Sequence, residues 1–337
     1  MPSSDSHDLR PAAAALDGSG TVLVGVDIGG TKTAVCLSLN PPDVLWRHEF
    51  ATRPEAGPAH ALESIMRAIH QGLRETGHTP SAIGVSCGGP LDSTAGVIQR
   101  PPNLWTWEEV HITSLLAQEF GVPCALENDA NAGALAEHRF GAGRGTEHMV
   151  FLTLGTGLGA GLILQGKLFR GACNMAGEIG HVRLTETGPV GYGKAGSIEG
   201  WASGGGMARL GVNLVEEAIA RGEQTTLAPI ASDLTARDIA TELQKGDAIS
   251  RRIVAASGAR LGEALAMLVD ILNPEKIVIG GLALRFGEHL LAPARASLER
   301  EALAAPVAAC EIVTAELGER IGDVAALCVA GGMVVQD

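Results

Sequence analysis

Apolar positions along this chain form short β-branched runs that alternate with stripes at helical spacing. Residues 21–26 are one such run, read as a buried strand, and the apolar run resumes at 34–37 after a Gly/Thr turn. Leu62, Ile65, Met66, Ile69 and Leu73 then fall on one helical face. Residues 82–86 predict a strand that ends in Cys87-Gly88-Gly89-Pro90, and 112–120 a helix. A strand over 122–126 hands over at Glu127-Asn128-Asp129 to an alanine-rich helix over 130–140. The opening arrangement recurs as a strand over 148–154, a turn at Gly155-Thr156-Gly157, and a strand over 160–164. Residues 22–37 and 149–164 thus form a weak repeat, seen in pattern only. Residues 171–206 are glycine-rich and irregular, and 212–272 read as helical up to Asn273-Pro274. A strand over 276–279 ends in Gly280-Gly281. This mixture predicts an α/β architecture with two domains.

Composition narrows the function. The 337 residues suffice for about two domains at ~150 residues each. The net charge of −13 and an aromatic content of 3% argue against a nucleic-acid partner, which needs basic surface and stacking platforms. The six cysteines show no C-x-x-C pair, as expected of reduced thiols in a cytoplasmic protein. Residues 1–20 carry no targeting signal and read as a flexible tail. The uncharged stretch 149–166 approaches membrane-span length, but Gly155, Gly157, Gly159 and Gly161 suit a turn between strands better. No membrane association is therefore expected.

Several motifs suggest chemistry. Both Gly/Thr turns end buried strands, where glycine lets phosphate oxygens approach the main chain. Thr31 and Thr156 add hydroxyls, Lys32 adds charge, and Asp27 could hold magnesium through water. Ordinary hairpin turns are the alternative reading. G-x-x-x-x-G-K-[ST] is absent, and the loose dinucleotide pattern at 155–160 is followed by a strand rather than a helix. Asp129 sits where an ionised carboxylate at a helix start could accept a hydroxyl proton, although Asn and Asp are also ordinary helix caps. Glu178 and His181 are three apart between glycines, and Glu199 is the single acid of the 188–200 loop. A loop pair and a solvated acid are the plainer alternatives.

Asp27-Ile28-Gly29-Gly30-Thr31-Lys32, Glu127-Asn128-Asp129-Ala130-Asn131, Leu154-Gly155-Thr156-Gly157-Leu158-Gly159 and Ala176-Gly177-Glu178-Ile179-Gly180-His181, in this order, resemble the ROK (repressor, open reading frame, kinase) family. The resemblance implies the two-domain actin-like ATPase (ribonuclease H-like) sugar-kinase fold with an interdomain cleft. A smaller domain would comprise 21–127 plus 322–337, and a larger one 128–321. It implies ATP-dependent phosphorylation of a hexose hydroxyl, with C6-OH of glucose or a related hexose as the expected acceptor. Asp129 would be the catalytic base. Gly89, Asn103, Asn128, Glu178, His181 and Glu199 would bind the sugar. Asp27, Gly29, Gly30, Thr31, Lys32, Gly155, Thr156, Gly157 and Gly281 would hold ATP with its Mg2+. Homodimers or homotetramers are common in the family.

Two departures stand out. The family's zinc-binding cysteine positions read Val190, Tyr192 and Ser197, so no zinc is expected, and packing must hold the loop. Gly280-Gly281-Leu282 lacks a third glycine that the family often has near adenosine. The family also contains repressors with a helix-turn-helix ahead of the first phosphate loop. Only a short tail precedes it here, so a kinase is expected, with a non-catalytic, sugar-responsive regulator as the alternative.

Overall fold

A computed structural model describes residues 20–333. The expected tail, except Gly20, and the last four residues of the 322–337 segment lie outside the described residues.

The first half runs β1 (Thr21–Ile28), β2 (Lys32–Ser38), β3 (Trp46–Ala51), α1 (Gly57–Thr76), β4 (Thr79–Cys87), β5 (Leu91–Asp92), β6 (Val97–Ile98), α2 (Ile112–Phe120), β7 (Cys124–Asn128) and α3 (Asp129–Phe140). Its main sheet has the order β3-β2-β1-β4-β7. The hairpin strands β3, β2 and β1 are antiparallel, whereas β4 and β7 run parallel to β1. The second half begins with β8 (Met149–Leu154), β9 (Leu158–Leu164), β10 (Lys167–Phe169), β11 (Val190–Gly191) and β12 (Lys194–Ala195). It continues through α4 (Ile198–Ala202), α5 (Gly204–Ala220), α6 (Ala236–Gln244), α7 (Ala248–Leu272) and β13 (Lys276–Ile279). It ends with α8 (Leu282–Phe286), α9 (Glu288–Glu301), α10 (Ala304–Ala309), β14 (Glu311–Thr314) and α11 (Ile321–Gly331). Its sheet order, β10-β9-β8-β13-β14, repeats the first, with the same sequence of antiparallel and parallel pairings. The repeat between 22–37 and 149–164 therefore reflects equivalent hairpins.

Each half has its own apolar core. β1 reads TVLVGVDI because helices cover both its faces, so apolar residues need not alternate. Ile65 and Ile69 of α1, Leu116 of α2 and Trp107 pack on this sheet. In the second half, α5, α6, α7 and α9 cover β8, β9 and β13. Between the two sheets lie α3, against β8 and β9, and α11, against β1 and β4. Ala132 and Ala136 of α3 meet Val324, Ala325 and Cys328 of α11. Small residues allow this close approach. A Cβ on Gly84 would strike the backbone of α11 at Ala326 and Ala330, and one on Gly161 would strike the Ala130 carbonyl oxygen.

The continuous helical reading of 212–272 is corrected to α5, α6 and α7 with breaks between them. The break before α6 is fixed by Thr235 and Asp238 in a reciprocal capping box. The break before α7 is fixed by Asp247, whose carboxylate accepts the Ser250 N–H at 2.6 Å. Residues 149–166 form the β8–β9 hairpin and its exit turn, and no helix among the described residues is long and apolar enough to cross a membrane. All six cysteines are unpaired thiols.

Candidate active site

The two halves enclose a cleft of about 700 Å3. Asp27, Lys32, Asp129 and Asp323 line it from the strand ends of the first sheet and the adjoining helices α3 and α11; Thr153 and Gly281 line it from the second half.

Asp129 is the first residue of α3, placed by the handover from β7. Its Oδ1 accepts the Ala130 N–H at 2.8 Å, and its Oδ2 faces the Gly88 turn. The side chain has no cationic partner among the described residues and opens to the cleft. Desolvation by the surrounding protein raises its carboxyl pKa, although backbone N–H groups oppose the shift. Asn128 is the helix N-cap. Its Oδ1 takes the same Ala130 N–H at 2.9 Å, and its Nδ2 lies beside Gly89. The cap reading and the ligand reading are thus compatible, because one amide atom is occupied and the other is available.

Asp27 lies at the end of β1, separated from β7 by β4 in the same sheet. Burial first, then the charges of Asp129 and Asp323, push its pKa from 3.8 to about 7, while Lys32 and Ser86 act in the opposite sense. Asp323, in α11, is buried and accepts from Arg47 Nε at 2.7 Å. Arg47 also reaches Glu49 at 2.7 Å, and Lys32 reaches Glu49 at 3.1 Å. The charge expected of Lys32 is present but shared with an acid. Mutual repulsion among Asp27, Asp129 and Asp323 fits a divalent cation bound between oxygen donors. Among the described residues no three His, Cys, Asp or Glu side chains converge into a complete metal site. Magnesium here would therefore take most of its ligands from water and phosphate.

The two Gly/Thr turns are partly satisfied internally. The Gly29 N–H donates to Lys32 O and the Gly155 N–H to Gly157 O, both at 3.0 Å, so these two amides are not open donors. The Gly30, Thr31, Thr156 and Gly157 N–H groups make no hydrogen bond among the described residues. The second turn is anchored from behind, where the Gly204 N–H of α5 donates to Gly155 O at 2.8 Å. Gly281 has φ +61°, and a Cβ there would strike the Leu154 carbonyl oxygen, so close backbone approach already demands glycine. Of the expected nucleotide residues, Asp27, Lys32 and Gly281 line the cleft cavity itself. Gly29, Gly30, Thr31, Gly155, Thr156 and Gly157 stand outside its wall.

The expected sugar residues fall into two groups, Asn103 beside the first Gly/Thr turn and Glu178, His181 and Glu199 near Asp129. Asn103 packs against Gly30, where an added Cβ would collide with it. Glu199 sits in α4, with its Oε2 accepting the Leu158 N–H at 3.2 Å beside Gly157. Burial raises the Glu178 pKa; His181 lowers it, and Asp129 and Glu199 raise it. These four groups therefore share one electrostatic neighbourhood. The Ala160 N–H donates to Gly177 O at 2.9 Å and ties the Glu178 loop to β9.

The loop bearing His181 does not fit zinc. Val190 is an exposed residue of β11, and Ser197 caps α4 by accepting the Gly200 N–H at 3.1 Å. Tyr192 presents the His181 ring with an edge contact at 4.7 Å between centroids. Lys194 Nζ donates to His181 O at 2.7 Å. Packing, as expected, is joined here by hydrogen bonds from the β11–β12 hairpin.

Sequence reasoning missed Arg47, Asp323 and Arg170. Arg170 donates to the buried Glu127 at 2.8 Å, and Glu127 also accepts the Asn128 N–H and Asn131 Nδ2 at 3.0 Å each. This pair fastens the 170–181 loop to the start of α3. The one signal available was Asp323 itself, an acid inside the apolar run of α11.

Comparison with known proteins gives a consistent picture. The ROK family profile matches residues 23–331. The glucokinase of Halalkalibacterium halodurans is 33% identical over 323 residues, covering 93% of this chain and 94% of that protein. A xylose repressor of Caldicellulosiruptor bescii is 28% identical, covering 94% of this chain and 78% of that protein. The solved ROK family glucokinase of Streptomyces griseus, in complex with glucose and AMPPNP, superposes with a TM-score of 0.78 at 30% identity, covering 92% and 99% of the two chains.

Proposed function

Because this chain belongs to the ROK family, we propose that it is an ATP-dependent kinase that transfers the γ-phosphoryl group to a hexose hydroxyl, with C6-OH of glucose or a related hexose as acceptor. The observation that carries this reading is Asp129, a carboxylate open to the cleft and without a cationic partner among the described residues.

In this reading Asp129 takes the proton from the acceptor hydroxyl as that oxygen bonds to the γ-phosphorus. The bond from the γ-phosphorus to the bridging oxygen breaks, and ADP leaves with its electron pair. Its raised pKa makes Asp129 a stronger base than an ordinary carboxylate. Asn128 Nδ2, Asn103, Glu178, His181 and Glu199 would bind the remaining hydroxyls beside Gly89. The open N–H groups of Gly30, Thr31, Thr156 and Gly157, with Lys32, would stabilise phosphate charge. Magnesium, held by Asp27 through water, would supply positive charge to the phosphates. We take 127/128 and 321/322 as the lines about which the domains of 21–127 plus 322–337 and of 128–321 move to close on sugar.

A coupled ADP-release assay across a panel of hexoses tests the reading. Sugar-dependent ADP release that Asp129→Asn abolishes is the expected result. Hexose binding without ADP release from any hexose would favour the sugar-responsive regulator, a reading that the similarity to a xylose repressor keeps in view.

A further inference from the structure

A second basin, of about 250 Å3, lies between β3 and α1 and shares no residue with the cleft. β3 alternates between the two. Arg47 and Glu49 face the cleft, whereas His48 and Phe50 face the basin. His48, Arg53, His60 and Arg67 supply its wall, and no carboxylate lines it, although the chain carries a net charge of −13. Arg53 has φ +52°, a conformation uncommon for a residue with a side chain, and its guanidinium makes no ion pair or hydrogen bond among the described residues. Arg67 has only an exposed pair with Glu63, four residues earlier on α1. Such a pair is weak and readily exchanged for a better anion. The His48 ring is fixed between Trp46 and Phe50.

The basin wall is joined to the first Gly/Thr turn. Thr52, buried between Ala51 and Arg53, donates from its N–H to Thr31 O at 3.0 Å and from Oγ1 to Gly29 O at 2.7 Å. Its Oγ1 also meets Thr33 Oγ1 at 2.9 Å. Any ligand that fixes Arg53 therefore acts on the residue that holds this turn.

We propose that the basin is a second binding site, for a small phosphate-bearing anion, and that its occupancy steadies the first Gly/Thr turn through Thr52. Two guanidinium groups supply planar donors suited to phosphate oxygens. The volume falls below the ~300–1,000 Å3 of pockets for drug-sized ligands, which suits phosphate or a phosphorylated monosaccharide better than a nucleotide.

The test is calorimetric titration of the whole chain with inorganic phosphate and, separately, with glucose 6-phosphate, each in saturating AMPPNP and glucose. Binding of one equivalent is expected. It should weaken at least about tenfold in Arg53→Gly/Arg67→Gln, the loss of one or more charge-assisted hydrogen bonds. Glycine suits the left-handed backbone at 53, so this variant does not strain the fold. Tighter binding of glucose 6-phosphate would assign a sugar phosphate as the ligand, and equal binding would assign phosphate itself. Hydrogen exchange at the Thr52 N–H, which donates to Thr31 O, should slow when the basin fills. Absence of binding, equal binding by the double variant, or unchanged exchange at Thr52 overturns the proposal. None of these readouts requires phosphoryl transfer, so the site and the kinase reading stand or fall separately.

Discussion

Asp27→Asn should stabilise the ligand-free protein while abolishing magnesium-dependent turnover. Burial and the charges of Asp129 and Asp323 raise the Asp27 pKa from 3.8 to about 7, so the fold favours its protonated form. The sign follows directly. Stability is intact below pH 3.8, falls as pH rises because the unfolded chain ionises first, and levels off above about 7, where the folded chain ionises too. At 1.36 kcal/mol per pKa unit, the loss is about 2 kcal/mol at pH 5 and up to about 4 kcal/mol at pH 8. Asparagine keeps the size of the side chain and cannot ionise, so it removes the loss. Thermal unfolding without nucleotide should therefore show Asp27→Asn melting several degrees above the parent at pH 8, with a gap less than half as large at pH 5. Magnesium with AMPPNP should then raise the melting temperature of the parent and leave that of the variant nearly unchanged. A variant that melts at or below the parent at pH 8, or a gap independent of pH, would refute the argument that the cleft holds unneutralised negative charge.

Further predictions concern the cleft walls. Asp129→Asn should lower kcat by ~10²–10⁴-fold and leave sugar affinity, read by calorimetry, nearly intact; near-normal turnover would remove Asp129 from the role of base. Tyr192→Ala should raise the sugar KM several-fold by removing an edge contact worth about 0.5–1.5 kcal/mol, and Tyr192→Phe should restore it, with kcat steady in both. Arg170→Met leaves the buried Glu127 without its cation, so a loss of about 1.5–3 kcal/mol in denaturant unfolding and a higher sugar KM are expected together. Gly281→Ala should raise the ATP KM and lower stability, because the new Cβ meets the Leu154 carbonyl oxygen at φ +61°.

What the sequence revealed was local. Asp27 to Lys32 and Glu127 to Asp129 could be read because each motif is one strand end with its turn or helix start, and both turns contain their own hydrogen bonds. Long-range partners could not be read this way. Arg47 meets an acid 276 positions later, and Arg170 meets one 43 positions earlier. β3 left no hydrophobic signature, because its Arg47 and Glu49 face one cavity and its His48 another. The breaks inside 212–272 were hidden because α5, α6 and α7 each keep an apolar face, so the pattern continues where the backbone does not. The missing zinc ligands were legible, but the Lys194 bond to the His181 carbonyl oxygen depends on a hairpin fold that the spacing did not reveal.

Helix α11 has a consequence for biosynthesis. Strands β1 and β4 leave a face bare until α11 arrives: Gly25 lies opposite Ala326, about 300 positions downstream, and Gly84 opposite Ala326 and Ala330, about 240 positions downstream. A ribosome will have emitted the residues between β4 and α11 before that face finds its cover. The second half can thus complete its own interior earlier, and the first half waits, exposed to aggregation and to chaperones, for α11 to be released.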